Sequence, residues 1–116
     1  MVIELPFPPS TNTYYRNVNG TMKISAKGRI YKDVCYGDVL EQHGIFKPFT
    51  GKVRVTVDLH PPCNRRRDLD NFAGKALYDA LTHANVWMDD SQVKESHNYM
   101  REKVEGGRCV VVIEEM

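Results

Sequence analysis

The chain has 116 residues, 41% of them hydrophobic and 27% charged, with a formal net charge of +1. That length supports one core without disulfide or metal staples and is short for two domains, so residues 1–116 are expected to form a single domain. The balanced charge excludes an overall basic field, and any contact with nucleic acid must come from a local patch, alone or joined to that of a second subunit.

Val2 to Leu5 reads as a short strand stopped by Pro6, Pro8 and Pro9. Ser10 to Thr21 is polar and rich in Asn, and is expected as loop or loose hairpin, followed by a brief strand over Met22–Ser25. Ser25 is a candidate N-cap for a helix to His43, with Ile30, Val34, Val39 and Leu40 as its core positions and Gly44 as its stop. Lys52 to His60 alternates with period two, Val53, Val55, Val57 and Leu59 on one face, and predicts a strand ended by Pro61-Pro62.

A loop over 63–69 and a second helix from Asp70 to His83 follow, with Phe72, Ala73, Ala76, Leu77, Ala80 and Leu81 facing inward. After a loop over 84–91, Val93–Met100 and Arg108–Glu114 read as two strands joined by a turn at Gly106-Gly107. The order predicts an α+β fold, a small mixed sheet packed with two main helices. Trp87 is expected against the second helix, Tyr14 and Tyr15 as structural, and Met22, Met88 and Met100 as core or interface filler. Cys35, Cys63 and Cys109 form no CxxC pair. They exclude a disulfide scaffold and a zinc site and fit a reducing cytosol. The N-terminus has no basic region followed by a long apolar run, and no stretch approaches the roughly 20 apolar residues of a membrane span. The expectation is a soluble, cytoplasmic protein.

The chemistry is concentrated in one stretch: Arg65-Arg66-Arg67, Asp68-Leu-Asp70-Asn71, Lys75, Asp79 and Asp89-Asp90-Ser-Gln92-Val93. Carboxylates near one another repel, and a hard, oxygen-seeking cation such as Mg²⁺ or Mn²⁺ relieves that repulsion. Planar guanidinium groups suit phosphate. Taken singly, Asp70 is a good helix cap, Asp89-Asp90 a polar turn, Asp79 and Lys75 solvated helix residues, and the arginine run an exposed loop. Together they point to phosphodiester chemistry. Asp89 and Asp90 lie past the helix, about 20 Å from Asp70 if it is straight. Either residues 86–92 fold back along it, or a second subunit supplies the missing acid.

The set Asp68-x-Asp70-Asn71, a following lysine, Asp79-Ala-Leu81 and Asp89-Asp90-x-Gln92-Val93 resembles the RusA family of Holliday-junction resolvases. So do the opening Leu5-Pro-x-Pro-Pro9-Ser10-x-Asn12 and Gly106-Gly107 leading into a last apolar strand. The resemblance spans most of the chain. It implies a dimeric, Mg²⁺-dependent endonuclease, with Mn²⁺ substituting, that resolves four-way DNA junctions by paired symmetrical nicks. Such proteins are often encoded by bacteriophages and prophages.

Carried over, the resemblance makes Asp68, Asp70 and Asp90 the catalytic, metal-binding carboxylates, Asp89 a weaker metal candidate and Lys75 the catalytic lysine. Arg65, Arg66 and Arg67 would contact phosphates, with Lys23, Lys27, Arg29 and Lys32 joining them if the first helix faces DNA. One departure stands out. The family's lysine falls four residues after the second Asp, where this chain has Gly74, and an extra residue rotates a helical side chain by about 100°. The rival readings are a nuclease for other branched DNA, a junction binder silenced by that insertion, and a protein-binding module with a structural cation.

Overall fold

The computed structural model describes residues 1–116. Its strands are β1 (Val2–Leu5), β2 (Tyr15–Val18), β3 (Thr21–Ile24), β4 (Val53–His60), β5 (Val93–Met100) and β6 (Arg108–Glu115). Its helices are α1 (Thr11–Tyr14), α2 (Ala26–His43) and α3 (Lys75–His83). The run with the cleanest alternation, β4, lies inside the main sheet, whose order is β1-β6-β4-β5. Val53, Val55, Val57 and Leu59 are fully buried on one face, each worth about 1.5–3 kcal/mol of apolar transfer as an upper figure. Cys109, Val111 and Ile113 of β6 and Ile3 and Leu5 of β1 complete that face. Helices α2 and α3 pack on each other and share one core cluster with it. This is the expected α+β architecture.

The strand limits agree with the sequence pattern, but one pairing does not. β5 and β6 are not a hairpin: β4 lies between them, parallel to β5 and antiparallel to β6. The β4–α3–β5 segment is a crossover unit, which places β5 beside β4 before the chain returns through Gly106-Gly107 to the far side of β4. The polar segment after Pro9 holds more order than expected. Ser10 caps the one-turn α1, and β2 and β3 form a separate two-stranded hairpin across Asn19-Gly20.

Helix α2 has the predicted limits, with the Ser25 hydroxyl accepting from the Gly28 N–H at 3.1 Å and Gly44 ending it. Its inner face is different. Gly28, Tyr31, Cys35 and Val39 are buried, whereas Ile30, Val34 and Leu40 are 62%, 42% and 46% exposed. Two contacts turn the helix this way. A Cβ at Gly28 would lie 2.8 Å from Tyr14 Cδ1, so only glycine lets the Tyr14 ring approach the first turn. One turn on, the Tyr31 hydroxyl donates to the Pro6 carbonyl at 2.8 Å.

The second helix also differs at its start. Leu69–Asn71 is a short 3-10 turn, and α3 begins at Lys75 after Gly74 at φ +124°, ψ −104°. Asp70 therefore does not cap α3, whose N-cap position is Gly74 itself. The Phe72–Gly74 bend sets where α3 begins, and Gly74 holds there a backbone conformation that residues with a side chain adopt only under strain. The inward positions Ala76, Leu77, Ala80 and Leu81 are buried as predicted. Trp87 is buried edge-on to Tyr78 of α3 and donates its indole N–H to the Thr82 hydroxyl at 2.6 Å. Met22 and Met88 are 61% and 68% exposed and lie outside the core, because β3 and the turn after Trp87 present them to solvent; Met100 packs against it. No helix is long and apolar enough to cross a membrane.

Candidate active site

A cleft of about 750 Å³ opens where the chain leaves β4 and turns into α3, lined by Arg67, Asp68, Leu69, Asp70, Ala73 and Asn98. The segment that carries the two acids is clamped from behind. The Arg67 guanidinium lies 5.5 Å from the Phe7 ring and 6.0 Å from the Phe72 ring, and these rings sit 5.2 Å apart. Its Nη1 donates to the carbonyls of Cys63 and Arg65 at 2.9 and 3.1 Å, closing the loop on itself. Thr11 Oγ1 donates to the Asn71 carbonyl at 3.3 Å, tying α1 to the 3-10 turn. Asp68 and Asp70 are left exposed, and neither side chain caps a helix.

Asn98 forms the inner wall. It pairs with Val57 in register, so it stands on the sheet face that the helices cover. Its Nδ2 donates to Ser96 Oγ at 3.0 Å, and that oxygen is 2.6 Å from the Tyr78 hydroxyl of α3. Its Oδ1 is buried and has no hydrogen-bond partner. An orphaned amide oxygen beside two free carboxylates is a donor set of the kind a hard cation takes.

The second acidic pair is built differently. The 3-10 turn Asp90–Gln92 is closed by a capping box: the Asp89 carboxylate accepts from the Ser91 N–H and hydroxyl, and Gln92 Oε1 accepts from the backbone N–H of Asp89 at 2.9 Å. Gln92 Nε2 also donates to the carbonyls of Phe49 and Gly51 at 2.8 and 2.9 Å, pinning this turn to the segment before β4. The Ser91 hydroxyl and the backbone amides hold the Asp89 carboxyl below the usual carboxylate range. Asp90 is half-buried and takes no part in the cap.

Residues 86–92 do fold back along α3. The turn packs against that helix, and the charges of both Asp89 and Asp90 are felt at Lys75 in its first turn. The two pairs still do not merge. No group of three or more His, Cys, Asp or Glu side chains is arranged around one point, and neither Asp89 nor Asp90 lines the cleft. Lys75 Nζ is 3.3 Å from Asp79 Oδ1, and the Asp79 hydrogen bond and charge raise the lysine pKa above its ordinary value. Lys75 is thus a full cation at neutral pH.

A family model described as Endodeoxyribonuclease RusA matches residues 6–114. A crossover junction endodeoxyribonuclease of Enterobacteria phage 82 is 42% identical over 118 residues, covering 98% of this chain and 93% of that protein. Proteins of the same name from Shigella sonnei strain Ss046 and Escherichia coli strain K12 are 40% and 39% identical over 117 residues, with the same coverage. The chain belongs to the RusA endodeoxyribonuclease family. Its reaction class is hydrolysis of DNA phosphodiester bonds.

Within this RusA-family frame the basic residues divide. Arg65 and Arg66 are exposed beside the cleft, whereas the Arg67 guanidinium is taken up by its own loop and two aromatic rings. Lys23, Lys27 and Arg29 are exposed around the β2–β3 hairpin and the start of α2, and Lys32 is half-buried. The Arg29 Nη1 donates to the Ile24 carbonyl at 3.0 Å, bracing that junction.

Three residues at the site escaped the sequence reading. Asn98 and Ser96, two apart, place polar groups on one face of a strand, a pattern visible once β5 is known to have α3 over that face. Tyr14 was expected as a structural residue, and it is fully buried, but its hydroxyl also donates to Asp79 Oδ2 at 2.8 Å. Only the fold brings those two together.

Proposed function

We propose that this chain resolves four-way (Holliday) DNA junctions by paired symmetrical nicks, in DNA recombination and repair, in a reaction that depends on Mg²⁺, for which Mn²⁺ substitutes. The observation that carries this reading is the cleft in which Asp68, Asp70 and the unpartnered Asn98 oxygen meet beside exposed arginines. Asp68 and Asp70 would hold the cation, with Asn98 Oδ1 as a neutral donor. Asp90, which stands outside the cleft, would complete the set once the two acidic pairs draw together on bound cation and DNA; Asp89, spent on its cap, is the weaker ligand. Bound there, Mg²⁺ would supply the Lewis acidity that activates a water and steadies the leaving 3′-oxygen.

The chain's own residues do the rest. Asp68 and Asp70, on a loop fixed by Arg67, Phe7 and Phe72, meet the scissile phosphate without first reorganising. Lys75, a permanent cation, offsets the negative charge that builds on the phosphoryl oxygens. Arg65 and Arg66, with Lys23, Lys27 and Arg29, bind backbone phosphates and set the register of the junction. A junction with two equivalent cuts is matched by a C₂ homodimer that carries two such clefts.

The test is nicking of an end-labelled four-way junction with a mobile core, in Mg²⁺, by wild type and Asp70→Asn. Paired symmetrical nicks that vanish in the variant while junction binding in Ca²⁺ survives support the proposal. Binding without nicks in either protein means a silent junction binder, and cleavage of flaps or forks in preference to junctions assigns another branched substrate.

A further inference from the structure

The lysine expected to serve the reaction does not stand alone. Lys75 Nζ lies 3.3 Å from one oxygen of Asp79, and the other oxygen accepts a 2.8 Å hydrogen bond from the Tyr14 hydroxyl. Tyr14 is fully buried, packed edge-on to Tyr15 at 5.0 Å and pressed against Gly28, where any side chain would collide with its ring. Burial first, then the Asp79 bond, raises the Tyr14 hydroxyl well above its ordinary pKa. The hydroxyl therefore stays protonated and can only donate to the carboxylate. The Asp79 side chain is 20% exposed and the Lys75 side chain 49%. One end of the chain is thus anchored in the core and the other is open to a substrate.

An exposed ion pair one helical turn apart contributes little to stability. Here the buried hydroxyl removes the freedom that makes such pairs weak, because it fixes which oxygen faces the ammonium. The arrangement also answers the displaced lysine. Gly74 ends the bend so that Lys75 is the first residue of α3, and Asp79 four residues on is the nearest anion on the same face.

We infer that Asp79, locked by the buried hydroxyl of Tyr14, is the positioning residue that holds the Lys75 ammonium in place for phosphodiester cleavage. Asp79 acts through the lysine and touches neither DNA nor cation. The inference rests on the catalytic role proposed for Lys75, and the experiment separates the two.

Single-turnover cleavage of a labelled four-way junction at saturating protein in Mg²⁺ is measured for wild type, Asp79→Asn, Tyr14→Phe, Lys75→Met and Lys75→Met/Asp79→Asn, with junction affinity in Ca²⁺ and melting recorded for each. Asp79→Asn should slow cleavage about 10- to 100-fold with affinity unchanged, the range for displaced but intact catalytic groups. Tyr14→Phe, which keeps the ring, should lose less in the same direction. In the Lys75→Met background Asp79→Asn should cost nothing further, an interaction that a purely structural role would not produce. Full or faster cleavage by Asp79→Asn overturns the inference, as does an equal loss with and without the lysine. Wild-type cleavage at full rate in Lys75→Met removes the lysine's role, and this inference with it; no cleavage by wild type defeats the parent proposal instead.

Discussion

Asp68 and Asp70, before α3 in the chain, and Asp89 and Asp90, after it, differ in what their carboxylates already do. The first two sit on a loop held from behind by Arg67, Phe7 and Phe72, and their side chains project into the cleft free of caps. In the second pair, Asp89 closes a capping box with Ser91 and Gln92. Asp90 follows it on a turn pinned to residues 49 and 51. A fold can hold an acid in readiness in two ways: by bracing the backbone and leaving the side chain free, or by sacrificing one acid to position its neighbour. The comparison ranks four similar residues by availability, which spacing alone does not.

The largest expected effect lies in the cleft. Asp70→Asn should lower single-turnover cleavage of a four-way junction by at least about 10²-fold, since the proposed mechanism places a cation and a phosphate at that carboxylate. Junction affinity and melting should stay near wild type, because Asp70 neither caps α3 nor packs in the core. Wild-type cleavage by this variant would break the comparison outright and move the chemistry out of the cleft.

The second pair offers a sharper test, since its members are adjacent in sequence. Asp90→Asn should lose about 10²-fold in cleavage rate with little change in melting. Asp89→Asn should do the reverse, lowering the melting temperature by a few degrees while cleavage falls less than about 10-fold. Equal losses from both would mean that the capping box and the reactive carboxylate cannot be separated.

How much of this was legible depends on what the residues report. The β4 alternation, the Ser25 cap and the Gly44 stop are local, and each predicted its element closely. The inner face of α2 was not legible from apolar spacing. Ile30, Val34 and Leu40 are the more apolar choices, yet the contacts of Gly28 with Tyr14 and of Tyr31 with Pro6 decide the rotation, and both come from distant segments. The pairing of β5 failed for the same reason, since a glycine turn before β6 shows that the chain reverses but not which strand it returns beside. In the site, the motif spacing singled out the acids and the lysine. Asn98 and the Tyr14–Asp79 bond stayed hidden because they join segments far apart in the chain.

The bend before α3 yields a smaller effect. A methyl group at Gly74 meets no atom within 4 Å, so any cost of Gly74→Ala comes from backbone conformation alone. At φ +124° that cost should be about 1–3 kcal/mol of stability, read by thermal or urea unfolding. A neutral result would mean that the 72–74 segment relaxes without strain, and that Lys75 is not fixed by the bend.

The smallest effect follows the Asp89 carboxyl through its titration. Its hydrogen bonds from the Ser91 hydroxyl and from backbone amides favour the ionised form, so its folded pKa lies below its ordinary value. A depressed carboxyl contributes stability that is fully present above its unfolded pKa, about 3.9, and that is lost as pH falls through the folded value. Melting curves of wild type and Asp89→Asn should therefore stay a constant distance apart from neutral pH down to about pH 4, and converge below it. Ser91→Ala removes the largest contributor to the shift, so it should narrow the gap and complete the convergence at a higher pH, while the onset near the unfolded pKa stays where it is. If the gap instead closes between pH 7 and 5, the cap is not held by an ionised Asp89, and the division of labour between Asp89 and Asp90 loses its physical basis.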